Sequence, residues 1–181
     1  EAGEEKQIRA AITFLQKMNL KGVIVGGNDA WKCTDELREA NIPVIIQRVH
    51  SVPWRDEQAY DACYTLAAKL AAAKIKFAFS DAGSWQQRNL PFEAGTAIAF
   101  GLSENDALRA LTLAPAEILG VADRVGSIEV GKDATLFVSK GNALDGLTNA
   151  VEYAFIQGRT VSLSNKQTKL AKKYRTRYEQ K

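Results

Sequence analysis

The stretch LRALTLAPAEILG (108–120), VADRV (121–125) and GSIEVGKDATLFV (126–138) decides how this chain is read. Pro115 is pre-set for the first position of a helical turn, Ala116 to Leu119 supply that turn, and Gly120 stands where a left-handed C-terminal residue belongs. A helix is expected to stop there. Gly126 and Gly131 bracket Ser127 to Val130, and Ala134 to Val138 is apolar enough for a buried strand, so the pattern predicts a tight hairpin leading into strand structure.

Working outward, the upstream part alternates. Lys6 to Met18 carries Ile8, Ala11, Ile12, Leu15 and Met18 at helical spacing. Leu20 to Gly27 follows as a strand whose consecutive Val23, Ile24 and Val25 suit burial on both faces. Ala30 to Ala40 reads as a helix, Ile42 to Val49 as a strand, Ser51 to Tyr60 as a loop, Ala62 to Ala73 as a helix and Ile75 to Ser80 as a third strand. Asn89 to Leu102 and Glu104 to Leu113 complete two more helices. Such a rhythm implies parallel strands with helical crossovers. Downstream, Val151 to Ile156, a Gln157-Gly158 turn and Thr160 to Leu163 form a second strand pair, too small a unit to bury a core of its own.

Composition narrows the function classes. The chain has 181 residues, 46% of them hydrophobic, and a net charge of +3. Lys166 to Lys181 holds seven Lys or Arg against one Glu, so the remainder is mildly acidic and carries no basic footprint for nucleic acid. Within that tail Leu170, Tyr174 and Tyr178 recur every four residues, the spacing of a packed stripe on a terminal helix. Cys33 and Cys63 fit neither metal-ligand spacing nor a disulfide framework and read as free thiols. No apolar run approaches twenty residues and no signal peptide is seen, so a soluble chain without membrane partners is expected. The start at Glu1-Ala2-Gly3 leaves room for an upstream export signal. No phosphate loop, Gly-x-Ser-x-Gly elbow or Ser-His-Asp order can be assembled, which removes nucleophilic catalysis.

In parallel α/β architectures the working residues sit at the carboxyl ends of strands. That rule selects Glu1, Gly26 to Asp29, Arg48 to His50, and Ser80 to Ser84. His50 is the only histidine; it is a candidate for orienting a substrate, or equally a hydrogen-bonded structural residue. Trp54, Arg55, Tyr60 and Tyr64 suggest a lid or an aromatic wall, or else helix packing. The polar run Trp85, Gln86, Gln87, Arg88, Asn89 suits the edge of a pocket.

The 108–138 segment resembles the end of the catalytic barrel and the return to the small β-domain in the amidohydrolase superfamily, specifically its imidazolonepropionase-related branch. The resemblance extends over essentially the whole chain. It implies an α/β fold: part of a (β/α)8 TIM-type barrel, about the last three strands and helices, followed by C-terminal strands of a small β-sandwich. The corresponding divisions are 1–122 for the barrel part, 123–165 for the β-domain strands and 166–181 for a basic terminal helix. A complete barrel takes about 250 residues, so the expectation is a C-terminal fragment of a longer parent.

The resemblance further implies metal-dependent hydrolysis of an amide or cyclic amide C–N bond by the parent, acting on a small-molecule substrate with a divalent ion, zinc or similar. Asp81 falls where the last barrel strand ends in a metal-binding Asp that takes the proton of the attacking water. An Asp capping its own loop is the equally weighted alternative. With Gln7 to Ile12 placed on the family pattern, Glu1 falls at the fifth-strand histidine and Gly26 or Gly27 at the sixth-strand one. Glu1 could ligate a hard cation, whereas the glycines have no side chain to offer. The resulting site set is Asp81 as catalytic residue, Asp81 and Glu1 as metal ligands, and Arg48, His50, Ser80 and Asn89 toward the substrate. The missing histidines argue against a standard binuclear centre and support a rival reading, a non-catalytic binding or scaffolding relative. Exposed strand edges in a partial barrel predict homo-oligomers.

Overall fold

Five helices end by the same device, and that device aims the chain back into the structure. At Asn19, Asn41 and Lys74 the backbone turns left-handed (φ 51, 50 and 58°). The amides of Leu20, Ile42 and Ile75 then bond back to the carbonyls of Leu15, Leu37 and Leu70. Gly101 and Gly120 do the same, with Leu102 bonding to Ala97 and Val121 to Ala116. Each is a helix stop that satisfies orphan carbonyls while starting the next segment inward.

The computed structural model describes residues 1–81 and 83–179. Its first part runs α1 (Glu5–Lys17), β1 (Ile24–Gly26), α2 (Thr34–Glu39), β2 (Val44–Gln47), α3 (Ala62–Ala72), β3 (Phe77–Ser80), α4 (Leu90–Ala99), α5 (Glu104–Leu111) and α6 (Leu113–Ile118). Short 3-10 turns at Ala30–Lys32 and Gln87–Asn89 precede α2 and α4. The start of α1 is fixed by a capping box in which the Gln7 side chain accepts from the Gly3 and Glu4 amides.

β1, β2 and β3 form a parallel sheet in that order, in register at Ile24, Val44 and Phe77. Ala2 adds a parallel bridge to Gly26 on the outer side of β1. Ile24, Val44, Ile46, Phe77 and Phe79 are buried against Ile8 and Ile12 of α1, Leu37 of α2 and Leu66 and Leu70 of α3. The alternate residues Val25 and Ile45 are only partly covered, so continuous β-branched runs do not here mean two fully covered faces.

The second sheet is antiparallel, β4 (Leu136–Ser139), β5 (Val151–Ile156) and β6 (Arg159–Thr160). The Gln157-Gly158 turn joins β5 to β6 with both residues at positive φ, the geometry a two-residue hairpin requires. β6 is shorter than the expected Thr160–Leu163 strand. Phe137, Val138, Tyr153 and Ile156 leave this sheet exposed and apolar. Its connection to the first part is the 140–150 loop, where Leu144 is buried and Asn142 donates to Glu104 at 2.9 Å. Among the described residues no helix is long and apolar enough to cross a membrane.

Two expectations are corrected. Residues 126–131 do not form a hairpin: Ile128 and Val130 are exposed, and the segment is tied by local bonds among Ser127, Glu129 and Lys132. A strand needs a neighbouring strand for its amides, and none lies alongside. The terminal helix α7 (Lys166–Glu179) forms, yet Leu170, Tyr174 and Tyr178 are exposed. Periodicity sets a stripe on a helix, but only a facing element can bury it.

The loop contact on α4 makes a sharp prediction. A Cβ at Gly95 would collide with the Leu144 carbonyl. Gly95→Ala is expected to cost about 1–3 kcal/mol by overpacking, read as a lower midpoint in urea unfolding; an unchanged midpoint would show that the loop is not held there.

Candidate active-site cleft

The parallel register brings the carboxyl ends of β1, β2 and β3 side by side, and a cleft of about 700 Å3 opens there. Arg48, Asp81 and Gln86 line it together with Asn28, Trp54 and Arg55. Thus the structure places Arg48 and Asp81 in one cavity. Ser80 sits just below, its carbonyl accepting from the Arg48 amide at 3.0 Å. Asn89 stands behind Gln86 and donates to its Oε1 at 2.9 Å, so it acts on the cleft only through that neighbour. His50 turns away into a shallow groove with Phe92 and Thr96, its Nε2 2.8 Å from Thr96 Oγ1. Glu1 lines an adjacent recess with Gln7, Gly26 and Arg55.

Asp81 is 8% exposed. Its Oδ1 accepts from the Gly83 amide at 2.9 Å, the loop-capping bond expected of an Asp at a strand end. Oδ2 is buried and accepts no hydrogen bond among the described residues. One oxygen of this carboxylate caps the loop, and the other is buried without a partner among the described residues.

Beside it lies Glu93 of α4, 1% exposed, with Oε2 accepting from the Val49 amide at 2.7 Å. Burial pushes this carboxyl above the usual glutamate range; the Val49 amide opposes that, and the adjacent Asp81 charge and hydrogen bond add to it. Val49 lies between Arg48 and His50, so Glu93 also fixes the turn that presents Arg48.

The other buried acid, Asp29, follows β1. It pairs with Arg55 and, at 3.4 Å, with Lys32, and accepts from the Glu5 amide at 3.3 Å. Burial raises its pKa, but the Arg55 bond, the Glu5 amide and Lys32 outweigh it and hold the carboxyl below the usual range. The 51–60 loop is thereby pinned over the cleft by Arg55. Trp54 of that loop is exposed at the rim, Tyr60 points to solvent, and Tyr64 packs on Phe100 with ring centroids 4.9 Å apart. The expected aromatic wall is thus one residue of the loop. His50 has its pKa lowered by partial desolvation and then by the Arg48 cation, so it is neutral near pH 7.

Glu93 and Asp29 were absent from the sequence-derived site. Glu93 could have been found as the lone acid in the apolar run 90–100, where an unpartnered charge is costly. Asp29 closes the Gly26 to Asp29 stretch that the strand-end rule selects, but its pairing with Arg55 is fixed only by the tertiary fold.

Glu93 sets a pH test. A raised folded pKa means stability that is fully present below the unfolded glutamate value and lost as pH rises through the folded one. Glu93→Gln keeps an acceptor for Val49 and a donor for Asp81 without titrating, so its stability relative to wild type should improve from acid to neutral pH. Glu93→Ala leaves the Val49 amide buried without an acceptor and should cost about 1–3 kcal/mol. Denaturant unfolding across pH checks both; parallel wild-type and Glu93→Gln profiles would contradict the raised value.

The model of the Amidohydrolase family matches residues 63–161. Among solved structures, an amidohydrolase from Thermotoga maritima MSB8 is 33% identical with a TM-score of 0.81, the match covering 89% of this chain and 42% of that one. A prolidase complexed with N-methylphosphonate-L-proline is 21% identical with a TM-score of 0.64, covering 84% of this chain and 43% of that one. An adenosine deaminase from Xanthomonas campestris with bound zinc is 21% identical with a TM-score of 0.56, covering 94% and 46%. These last two share the fold. The chain spans less than half the length of each of these structures. No curated protein matches it. With more than half of its residues within the family model, the chain belongs to the amidohydrolase family.

Proposed function

We propose that this chain is the C-terminal part of an enzyme that hydrolyses an amide or cyclic amide C–N bond of a small molecule, with Asp81 taking the proton from the attacking water. The observation that carries this is Asp81 Oδ2: a carboxylate oxygen without a hydrogen-bond donor among the described residues, at the carboxyl end of β3, on a residue lining the cleft. Its other oxygen is anchored by Gly83, which fixes its direction. The proton gained from water can then pass to the leaving nitrogen as the C–N bond breaks.

In this reading Ala2, β1, β2 and β3 belong to the later half of a TIM-type barrel, with 1–122 as the barrel part, 123–165 as β-sandwich strands and 166–181 as a basic terminal extension. The narrower placement in the imidazolonepropionase-related branch rests on the resemblance of the 108–138 segment. Arg48 contacts the substrate directly and Asn89 acts through Gln86; Ser80 and His50 are supports. Partly covered Val25 and Ile45 and the free edges of the sheet favour self-association of the chain by itself. Light scattering is expected to show oligomers, and a monodisperse monomer would contradict it.

A divalent ion, where present, lowers the pKa of a bound water. Asp81 and Glu1 offer carboxylate oxygens for one, but the described residues bring no three His, Cys, Asp or Glu side chains together as a cation site. The donors present do not make up a metal centre, and the role given to Asp81 needs only a carboxylate and a water. Gly26 and Gly27 at the sixth-strand ligand position favour the second reading, a binding protein on the same fold.

Asp81→Asn in the longer protein separates the two. Loss of the base should lower kcat by about 10²–10⁴ with KM little changed, measured over a panel of N-acyl amino acids, dipeptides and cyclic amides. Unchanged turnover, or none in the unmutated protein, sinks the hydrolase assignment.

A further inference from the structure

Four cations line the cleft, Lys32, Arg48, Arg55 and Lys69, against only Glu57 and Asp81. Lys32 and Arg55 are already held by the buried Asp29, and Arg55 also reaches toward Glu57 at 3.9 Å. Arg48 and Lys69 have no ion-pair partner among the described residues. Lys69 instead lies over the Trp31 ring, 4.7 Å from its centroid. Counting Asp81 against these two leaves one unmatched positive charge in a cavity whose walls include Trp31, Trp54, Ile46 and Leu66.

Arg48 adds a second indication. It directly follows β2 with a left-handed backbone (φ 46°), a conformation that opposes any side chain with a Cβ. The conformation is kept by the Ser80 carbonyl on the Arg48 amide and by Glu93 on the next amide. Two independent bonds, one from a buried acid, therefore hold the Arg48 backbone at the cleft, and its guanidinium has no ion-pair partner among the described residues.

We propose that the cleft binds a small organic monoanion, a carboxylate carried on a flat apolar body, with Arg48 and Lys69 neutralising the carboxylate and the Trp31 and Trp54 rings flanking the body. A guanidinium matches a carboxylate with paired N–H donors, and indole faces cover planar groups at low entropic cost. A single surplus charge fits one carboxylate. The inference rests on the proposed function only in calling this ligand the substrate; the binding itself needs no turnover.

The test is calorimetry on the 181-residue chain, comparing N-benzoylglycine with its uncharged amide, N-benzoylglycinamide. The carboxylate is expected to bind about tenfold more tightly than the amide, the worth of a charge-assisted hydrogen bond. Arg48→Asn, whose side chain tolerates the left-handed backbone, should abolish that preference and leave amide binding unchanged. If Arg48→Asn loses its native circular dichroism, Lys69→Gln on the exposed side of α3 must still weaken the carboxylate selectively. Equal binding of both probes, no saturable binding of either, or full affinity in folded Arg48→Asn or in Lys69→Gln overturns the proposal. Because no reaction is read, such a failure leaves the Asp81→Asn result to judge hydrolysis separately.

Discussion

The position of β2 between β1 and β3 is the constraint on which the site depends. Parallel pairing on both sides aligns Gly26 with Ile46 and Gln47 with Ser80, so the three strands finish almost level. Whatever follows each strand then meets the others at one rim: Asn28 and Asp29 from β1, Arg48 from β2, Asp81 from β3. No loop has to reach far. The left-handed stops at Asn19, Asn41 and Lys74 serve the same end, because each returns the chain from a helix to the next strand start.

Three acids are buried around that rim, and each is handled differently. Asp29 is charged and neutralised by two cations, so its burial locks the 51–60 loop. Glu93 has its carboxyl pushed above the usual glutamate range by burial and serves as a hydrogen-bonded strut between α4 and the Val49 amide. Asp81 keeps one oxygen tied and one open. Isolated buried charge is too costly to persist, so acids in such surroundings either find cations or hold protons. For Asp29 the outcome is structural, since its cations fix the 51–60 loop over the cleft.

The order of helices and parallel strands in 1–118 was legible because hydrophobic period and helix stops coincide there: Ile8 and Ile12, Leu37, Leu66 and Leu70 repeat at helical spacing and all reach the core. Asp81 and Arg48 were legible from the rule that strand carboxyl ends converge. What failed did so where local pattern had no partner in space. The glycines at 126 and 131 permit a hairpin but cannot supply the second strand, and the Leu170, Tyr174, Tyr178 stripe has no facing surface. The partners of Glu93 and Asp29 were missed for the opposite reason, since Val49 and Arg55 are brought to them only by folding. The placement of His50 against Thr96 belongs to the same class, being fixed by α4 and not by its own strand.

Family membership and chemistry thus rest on different parts of the chain. Residues 63–161, which carry the family match, hold α3 to α6, β4 and β5, and they include Asp81 and Glu93 but neither Glu1 nor the glycines after β1. The half of the rim inside that match holds the two buried acids Asp81 and Glu93. The half outside it carries Gly26 and Gly27, whose left-handed backbones (φ 105 and 62°) bend the chain around Ala2 and toward Asp29. A Cβ at Gly27 would press into Val44, so this backbone is built for glycine. Glycine at 27 is therefore a structural requirement of the packing of β1 against β2, and a larger residue there would have to adopt a left-handed backbone and move the Val44 side chain.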